Sequence, residues 1–246
     1  MAYRTRSRSF GIFSANNFPA GVKWLLISNV AVFIFFFFAG RTSPGNELYG
    51  YLELIPRAVV HFPAVWQLVT YLFLHGGFGH ILWNMLALWM FGAEIERTWG
   101  TRRFLQFYFF CGAGAGVSVV VLNYLFGNPD VPTIGASGAI YGILMAYAIL
   151  FPNRTILFGF LIPIQVKYFV MIIGAIAFLS SFGPNTGVSE FAHLGGLLFG
   201  FLFLKGPRLR FNPTATFDAL YHNWKLQRSK RKFQVYMRKQ SSDRKG

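Results

Sequence analysis

The sequence predicts an all-α, polytopic membrane protein, a bundle of six transmembrane helices with a long, partly membrane-embedded first loop. Composition and the spacing of apolar runs carry that prediction. Of 246 residues, 54% are hydrophobic and 13% charged, against about 45–50% and about 25% in soluble domains. Too little polar side chain is present to coat a water-exposed surface. A disordered chain is excluded too, because disorder requires low hydrophobicity. The apolar residues fall in runs of the length a bilayer needs, about 20 residues for a hydrocarbon core about 30 Å thick. The single cysteine, Cys111, excludes an internal disulfide framework and a cysteine-cluster zinc site.

The six predicted spans are 22–40, 79–99, 104–126, 134–151, a fifth within 156–182, and 188–204. Pro163 interrupts the approach to the fifth, so its main body is placed at 166–181, with 156–163 interfacial. The basic N-terminus is followed by an apolar run too long for a cleavable signal peptide. The expected organisation is a basic cytoplasmic tail at 1–21, a membrane domain at 22–205, and a basic, partly amphipathic cytoplasmic tail at 206–246.

Orientation follows from the 23 Lys and Arg residues. Between alternate spans, one side holds only Arg41 and Arg57; all the others, including Arg4, Arg6, Arg8 and the C-terminal run from Lys205, fall on the opposite side. The positive-inside rule then puts both termini in the cytoplasm, as an even span number requires. The expected location is a bacterial inner membrane.

The first loop, 41–78, is unusually apolar, with Trp66, Tyr49, Tyr51, Phe62 and Tyr71 among its side chains. Irregular backbone cannot lie bare in lipid, so the loop is expected half-embedded at the outer interface with aromatic anchors. In the C-tail, Phe217, Leu220, Tyr221 and Trp224 recur at helical spacing ahead of Lys225, Arg228, Lys230, Arg231 and Lys232. That pattern fits a basic amphipathic helix on the lipid surface. A net charge of +15 could suggest nucleic acid, but the charge sits beside membrane spans, and no nucleic-acid partner is expected.

Polar residues inside spans are costly and are functional suspects by default. His80 and Asn84, at i and i+4, share one face of span 2. Ser137 lies at the start of span 4 between Gly135 and Gly138, and His193 lies near the start of span 6. Spans 2, 4 and 6 all run inward, so these residues share one depth beneath the outer surface. Gly138, Gly142 and Ala146 on span 4, and Gly196 and Gly200 on span 6, form small-residue stripes that permit close helix contact. If the stripes meet, Ser137 and His193 come within reach.

A serine needs a base to become nucleophilic, and histidine serves near neutral pH. The helix start at Ser137, with His80 and Asn84, would supply donors to a developing oxyanion. A serine between glycines in a membrane helix reads equally as a packing residue, and Ala139 breaks the soluble-hydrolase G-x-S-x-G elbow. The shared depth of four polar residues is what favours chemistry. His75 lacks a third partner for a metal and is expected to cap or hydrogen-bond loop backbone. Glu190, one turn before His193, is expected at the interface rather than as the third member of a triad. The glycines of span 3, Gly112, Gly114 and Gly116, are expected to serve packing.

His80-x-x-x-Asn84, Gly135-Ala136-Ser137-Gly138 with Tyr141, and Ala192-His193-Leu194-Gly195-Gly196 with Gly200 together resemble the rhomboid intramembrane serine proteases, in order and on the appropriate spans. The resemblance implies a Ser137–His193 dyad, with oxyanion donors from His80, Asn84 and the Ser137 backbone. It implies that Tyr141 packs on His193, that Gly138, Gly196 and Gly200 support helix contact, and that Glu96 is a structural acid. Transmembrane protein substrates in the lipid bilayer are implied, with no cofactor and no metal; the oligomeric state is open. Where family members often carry Trp-Arg, this chain has Trp66-Gln67, and Gln67 cannot make charge-assisted contacts. The alternative is a catalytically silent scaffold, which would be expected to lack the serine or the histidine. A transporter would predict inverted repeats or mid-bilayer charges, and neither is found.

Overall fold

The computed structural model describes residues 18–158, 161–183 and 190–206. Helices α1 (Ala20–Ala39) and α7 (Thr101–Phe126) are each long and apolar enough to cross a membrane. Along α1 the side chains of Trp24, Ile34, Phe35, Phe37 and Phe38 are exposed, as a lipid-facing surface requires, while Val22 and Leu25 are buried against the bundle. The predicted 79–99 segment is one continuous helical rod. It comprises α5 (Phe78–Ala87), a π-turn at Leu88–Gly92, and α6 (Ala93–Trp99).

A π-turn carries one extra residue, which rotates the following helix by about 100°. His80 and Asn84 above the turn, and Glu94 and Glu96 below it, thereby all reach partners within the bundle. Glu96 is buried and its two carboxylate oxygens accept from the backbone N–H of Gly21 (2.8 Å) and Val22 (2.7 Å), with Thr101 Oγ1 donating at 2.6 Å. The first-turn amides of α1 lack intrahelical acceptors. A buried carboxylate satisfies two of them at the positive end of the helix dipole. Glu94 accepts from the Tyr147 hydroxyl at 2.6 Å and pairs with Arg154.

The next predicted spans differ in their bounds. The fourth was expected at 134–151; α8 is Ser137–Leu150, because Gly135 has φ +115° and breaks helical continuity before it. Fourteen residues reach about 21 Å, so α8 is a short rod. The region 156–163 contributes to a two-stranded antiparallel hairpin, which corrects the expectation of an all-α chain. Strands β1 (Thr155–Phe158) and β2 (Ile162–Gln165) pair with Thr155 opposite Gln165 and Phe158 opposite Ile162. The β-branched Thr155, Ile156, Ile162 and Ile164 favour an extended backbone, and Pro163 is tolerated because a two-stranded hairpin consists of edges. Helix α9 (Val166–Ser180) follows directly. Helix α10 (Glu190–Lys205) covers the described part of the predicted 188–204 segment. The basic N-tail through residue 17 and the amphipathic pattern at 217–232 lie outside the described residues.

The first loop is folded, which corrects the expectation of irregular backbone. It forms α2 (Ser43–Leu52), α3 (Pro56–His61) and α4 (Gln67–Thr70), followed by a 3-10 turn at Tyr71–Phe73. Thr42 Oγ1 caps α2 by accepting from the Gly45 N–H at 3.2 Å. Leu54, Tyr71, Leu72 and Leu74 are buried in the core, while Tyr51, Phe62 and Val65 remain exposed. The loop is strapped to the segment that leads into Ser137. Leu54 and Thr133 exchange backbone hydrogen bonds at 3.0 and 2.8 Å, the Gly135 N–H donates to Tyr71 at 2.9 Å, and the Arg57 N–H donates to Pro129 at 2.9 Å. The Arg57 guanidinium also pairs with Asp130 and holds that carboxyl below the usual carboxylate range.

Candidate active site

The core of the bundle is the junction of α7, α8 and α10, where the small residues take up the close approach. A methyl added at Gly142 would lie 2.6 Å from Cys111 Sγ, and one at Gly200 would lie 2.8 Å from the Gly142 carbonyl oxygen. One at Gly195 would lie 2.6 Å from Ser118 Cβ on α7. The span-3 glycines pack likewise, Gly112 against Leu72, Gly114 against Phe199, and Gly116 against Leu68 and Tyr71.

This close contact brings the first turns of α8 and α10 together. His193 Nε2 lies 2.9 Å from Ser137 Oγ, a normal hydrogen-bond separation. One turn along α8 from Ser137, the Tyr141 ring stacks on the His193 imidazole, with centroids 4.2 Å apart and planes 5° from parallel. His193 is thus held on one face by an aromatic ring and at Nε2 by a hydroxyl. Its other nitrogen, Nδ1, is 3.3 Å from Glu190 Oε2. The i, i+3 spacing of Glu190 and His193 was visible in the sequence, but the direction of the carboxylate was not.

His80 and Asn84 converge on the backbone just before Ser137. A Cβ at Gly135 would lie 2.7 Å from His80 Nε2 and 3.9 Å from Asn84 Nδ2. Glycine is therefore required there twice, by its positive φ and by the two side chains beside it. The Gly76 N–H donates to His80 Nδ1 at 3.4 Å. A neutral imidazole that accepts at one nitrogen carries its proton on the other, so His80 presents an Nε2–H toward Gly135. Asn84 is buried and spends one amide hydrogen on the His80 carbonyl at 3.0 Å; its second hydrogen stays available.

His75 was expected to hydrogen-bond loop backbone. Its ring is buried, and neither nitrogen has a partner; the Phe73 backbone is close by but short of hydrogen-bonding geometry. The ring sits edge-on to His80 with centroids 5.0 Å apart. Burial pushes His75 down to about 4, the neighbouring His80 ring adding to the effect and the Phe73 backbone opposing it.

Gln67 replaces the missing charge with a two-ended neutral contact. It is buried, its Nε2 donates to the Tyr51 carbonyl at 3.2 Å, and its Oε1 accepts from the Ile55 N–H at 3.0 Å. Beside it the Trp66 indole N–H donates to the same Tyr51 carbonyl at 3.0 Å, and its ring stacks on Tyr51 at 4.7 Å. An arginine could donate here but could not accept from Ile55.

A serine hydrogen-bonded to a histidine between two apolar helices gives this helical bundle a polar centre in its interior. Residues 63–206 match the Rhomboid domain, and the chain belongs to the rhomboid family. That family consists of helical integral membrane proteins and includes intramembrane serine proteases. The chain is 37% identical to the rhomboid relative YdcA of Bacillus subtilis over 139 residues, 56% of this chain and 64% of YdcA. It is 35% identical to RHOMBOID-like protein 1 of Arabidopsis thaliana over 174 residues, 69% of this chain and 42% of that protein. It is 36% identical to the rhomboid protease GluP of Bacillus subtilis over 137 residues, 55% of this chain and 25% of GluP. The matches therefore span between a quarter and just under two thirds of these relatives' lengths.

Proposed function

We propose that the chain is an intramembrane serine endopeptidase that cleaves transmembrane or juxtamembrane segments of membrane proteins. Ser137 Oγ attacks the scissile carbonyl carbon while His193 Nε2 takes the hydroxyl proton. The carbonyl oxygen becomes an oxyanion held by His80 Nε2–H, the free amide hydrogen of Asn84 and the Ser137 backbone N–H, each such donor contributing about 3–4 kcal/mol to lowering the barrier. His193 then protonates the departing amine, and water hydrolyses the acyl-serine through the same base. Tyr141 fixes the imidazole plane, and Gly138, Gly196 and Gly200 let the helices close. No cofactor takes part.

The membrane domain is assigned to 22–205 with six spans, flanked by basic tails at 1–21 and 206–246. Both termini are cytoplasmic, so the serine opens toward the outer face, and the proposed location is a bacterial inner membrane. What supports the reading is the 2.9 Å Ser137–His193 hydrogen bond in a chain of a family that includes serine proteases.

The test is a serine-directed phosphonate probe on the purified full-length chain, together with cleavage of a single-span substrate in proteoliposomes. Wild type is expected to label and cleave. Ser137→Ala is expected to do neither, and His193→Ala to lose cleavage with the fold kept. Cleavage by Ser137→Ala at the wild-type rate refutes the assignment. Orientation is checked separately with a cysteine at Asn128 in a Cys111→Ala background, which is expected to label from the outer side.

A further inference from the structure

Resting on the Ser137–His193 assignment above, we propose that Glu190 is a positioning residue for the base, so that three side chains rather than two form a proton-handling line, Glu190–His193–Ser137. For a serine hydroxyl to donate to His193 Nε2, that nitrogen must present its lone pair, and a neutral imidazole then carries its proton on Nδ1. Glu190 Oε2 stands 3.3 Å from Nδ1, and an ionised carboxylate is an acceptor only. The contact therefore selects the tautomer that the base needs.

The carboxylate also offsets the positive charge that appears on the ring once the serine proton arrives. Shielding makes that offset effective, since the side chains are 11% (His193) and 18% (Glu190) exposed, and an ion pair gains strength as solvent is excluded. Glu190 is the first residue of α10, where the helix dipole favours a negative group. A purely helix-stabilising role accounts for an acid at that position. It does not account for an oxygen aimed at the nitrogen opposite the one that meets Ser137. Tyr141, stacked on the ring face, fixes the plane but cannot choose between the tautomers.

The experiment uses the full chain in proteoliposomes, as wild type, Glu190→Ala, Glu190→Gln and Glu190→Asp. It measures kcat and KM on a single-span substrate, thermal unfolding, and the His193 tautomer by nitrogen-15 NMR, assigned by the signal lost in His193→Gln. In the wild type His193 is expected to be protonated on Nδ1 at neutral pH. Glu190→Ala is expected to lower kcat about 10- to 100-fold, the worth of one hydrogen bond to a charged group, with KM unchanged and a mixed tautomer signal. Glu190→Asp is expected to recover part of the loss. Glu190→Gln keeps the size and an acceptor oxygen and is expected to fall between; it decides the matter if Glu190→Ala unfolds. A wild-type His193 protonated on Nε2, or a folded Glu190→Ala or Glu190→Gln with wild-type kcat and tautomer, overturns the proposal. Because the tautomer is read without turnover, failure of the hydrolase assignment and failure of the Glu190 contact are told apart.

Discussion

Gly196 of α10 lies so close to Gly138 of α8 that a methyl group on Gly196 would overlap the Gly138 carbonyl oxygen. The side chains of Ser137 and His193 are neighbours because of that backbone contact. A glycine on α10 at that point lets a hydroxyl and an imidazole in the first turns of the two helices reach 2.9 Å.

Gly196→Ala is accordingly expected to spread the two helices. Overpacking of a close-packed contact costs about 1–3 kcal/mol, and an ångström of displacement at a reacting pair costs about 100-fold in rate. Thermal unfolding and the rate of phosphonate labelling measure the two effects. Labelling at the wild-type rate would show that the contact does not set the site.

Glu96, in α6, joins the C-terminal end of the 78–99 rod to the start of α1 through two backbone amides and the Thr101 hydroxyl. Glu96→Gln turns one acceptor into a donor facing an N–H. A loss of about 2 kcal/mol or more is expected, since hydrogen bonds to charged groups are worth about 1.5–3 kcal/mol. Denaturant-induced unfolding of the reconstituted protein reads it, and amide exchange at Gly21 and Val22 should accelerate in parallel.

Gln67 satisfies the first loop at both ends of one amide. Gln67→Leu leaves the Ile55 N–H without its acceptor and is expected to destabilise the chain by about 1–3 kcal/mol. Gln67→Arg is expected to give no rescue, because arginine offers donors alone. If the arginine variant instead matched wild type in thermal midpoint, the acceptor role would be disproved.

His75 gives the fold an acid sensitivity of defined sign. Its ring is pushed down to about 4, whereas an unfolded histidine titrates near about 6.5. Between those values the unfolded chain binds a proton that the folded chain refuses. Stability is therefore complete above about pH 6.5, declines as pH falls, and declines no further on this account below about pH 4. The thermal midpoint of wild type is expected to fall more steeply across that window than that of His75→Leu. Parallel pH profiles for the two proteins would contradict this.

Residues near one another in the chain revealed their structure in the sequence. The apolar runs located α1, α7 and the rod from Phe78 to Trp99. The i, i+4 spacing put His80 with Asn84 and lined up the glycine stripes, because helical periodicity is a local property of backbone geometry. The loop was harder. Its apolar residues were legible, but three short helices and the strap to Thr133 and Gly135 depend on pairings with a segment more than sixty residues away. The hairpin at Thr155–Gln165 was hidden because a brief apolar run reads equally as helix or strand.

From its pattern alone the chain declared a membrane bundle and nominated Ser137, His193, His80 and Asn84 as residues at one depth. Which atoms meet was settled in three dimensions. Glu96 found the amides of Gly21 and Val22, Gln67 found Tyr51 and Ile55, and Glu190 turned toward His193 Nδ1. Hydropathy and periodicity report the face on which a residue sits. Hydrogen bonds depend on ångström-scale distance and direction between groups on different elements, and only the packed helices supply those.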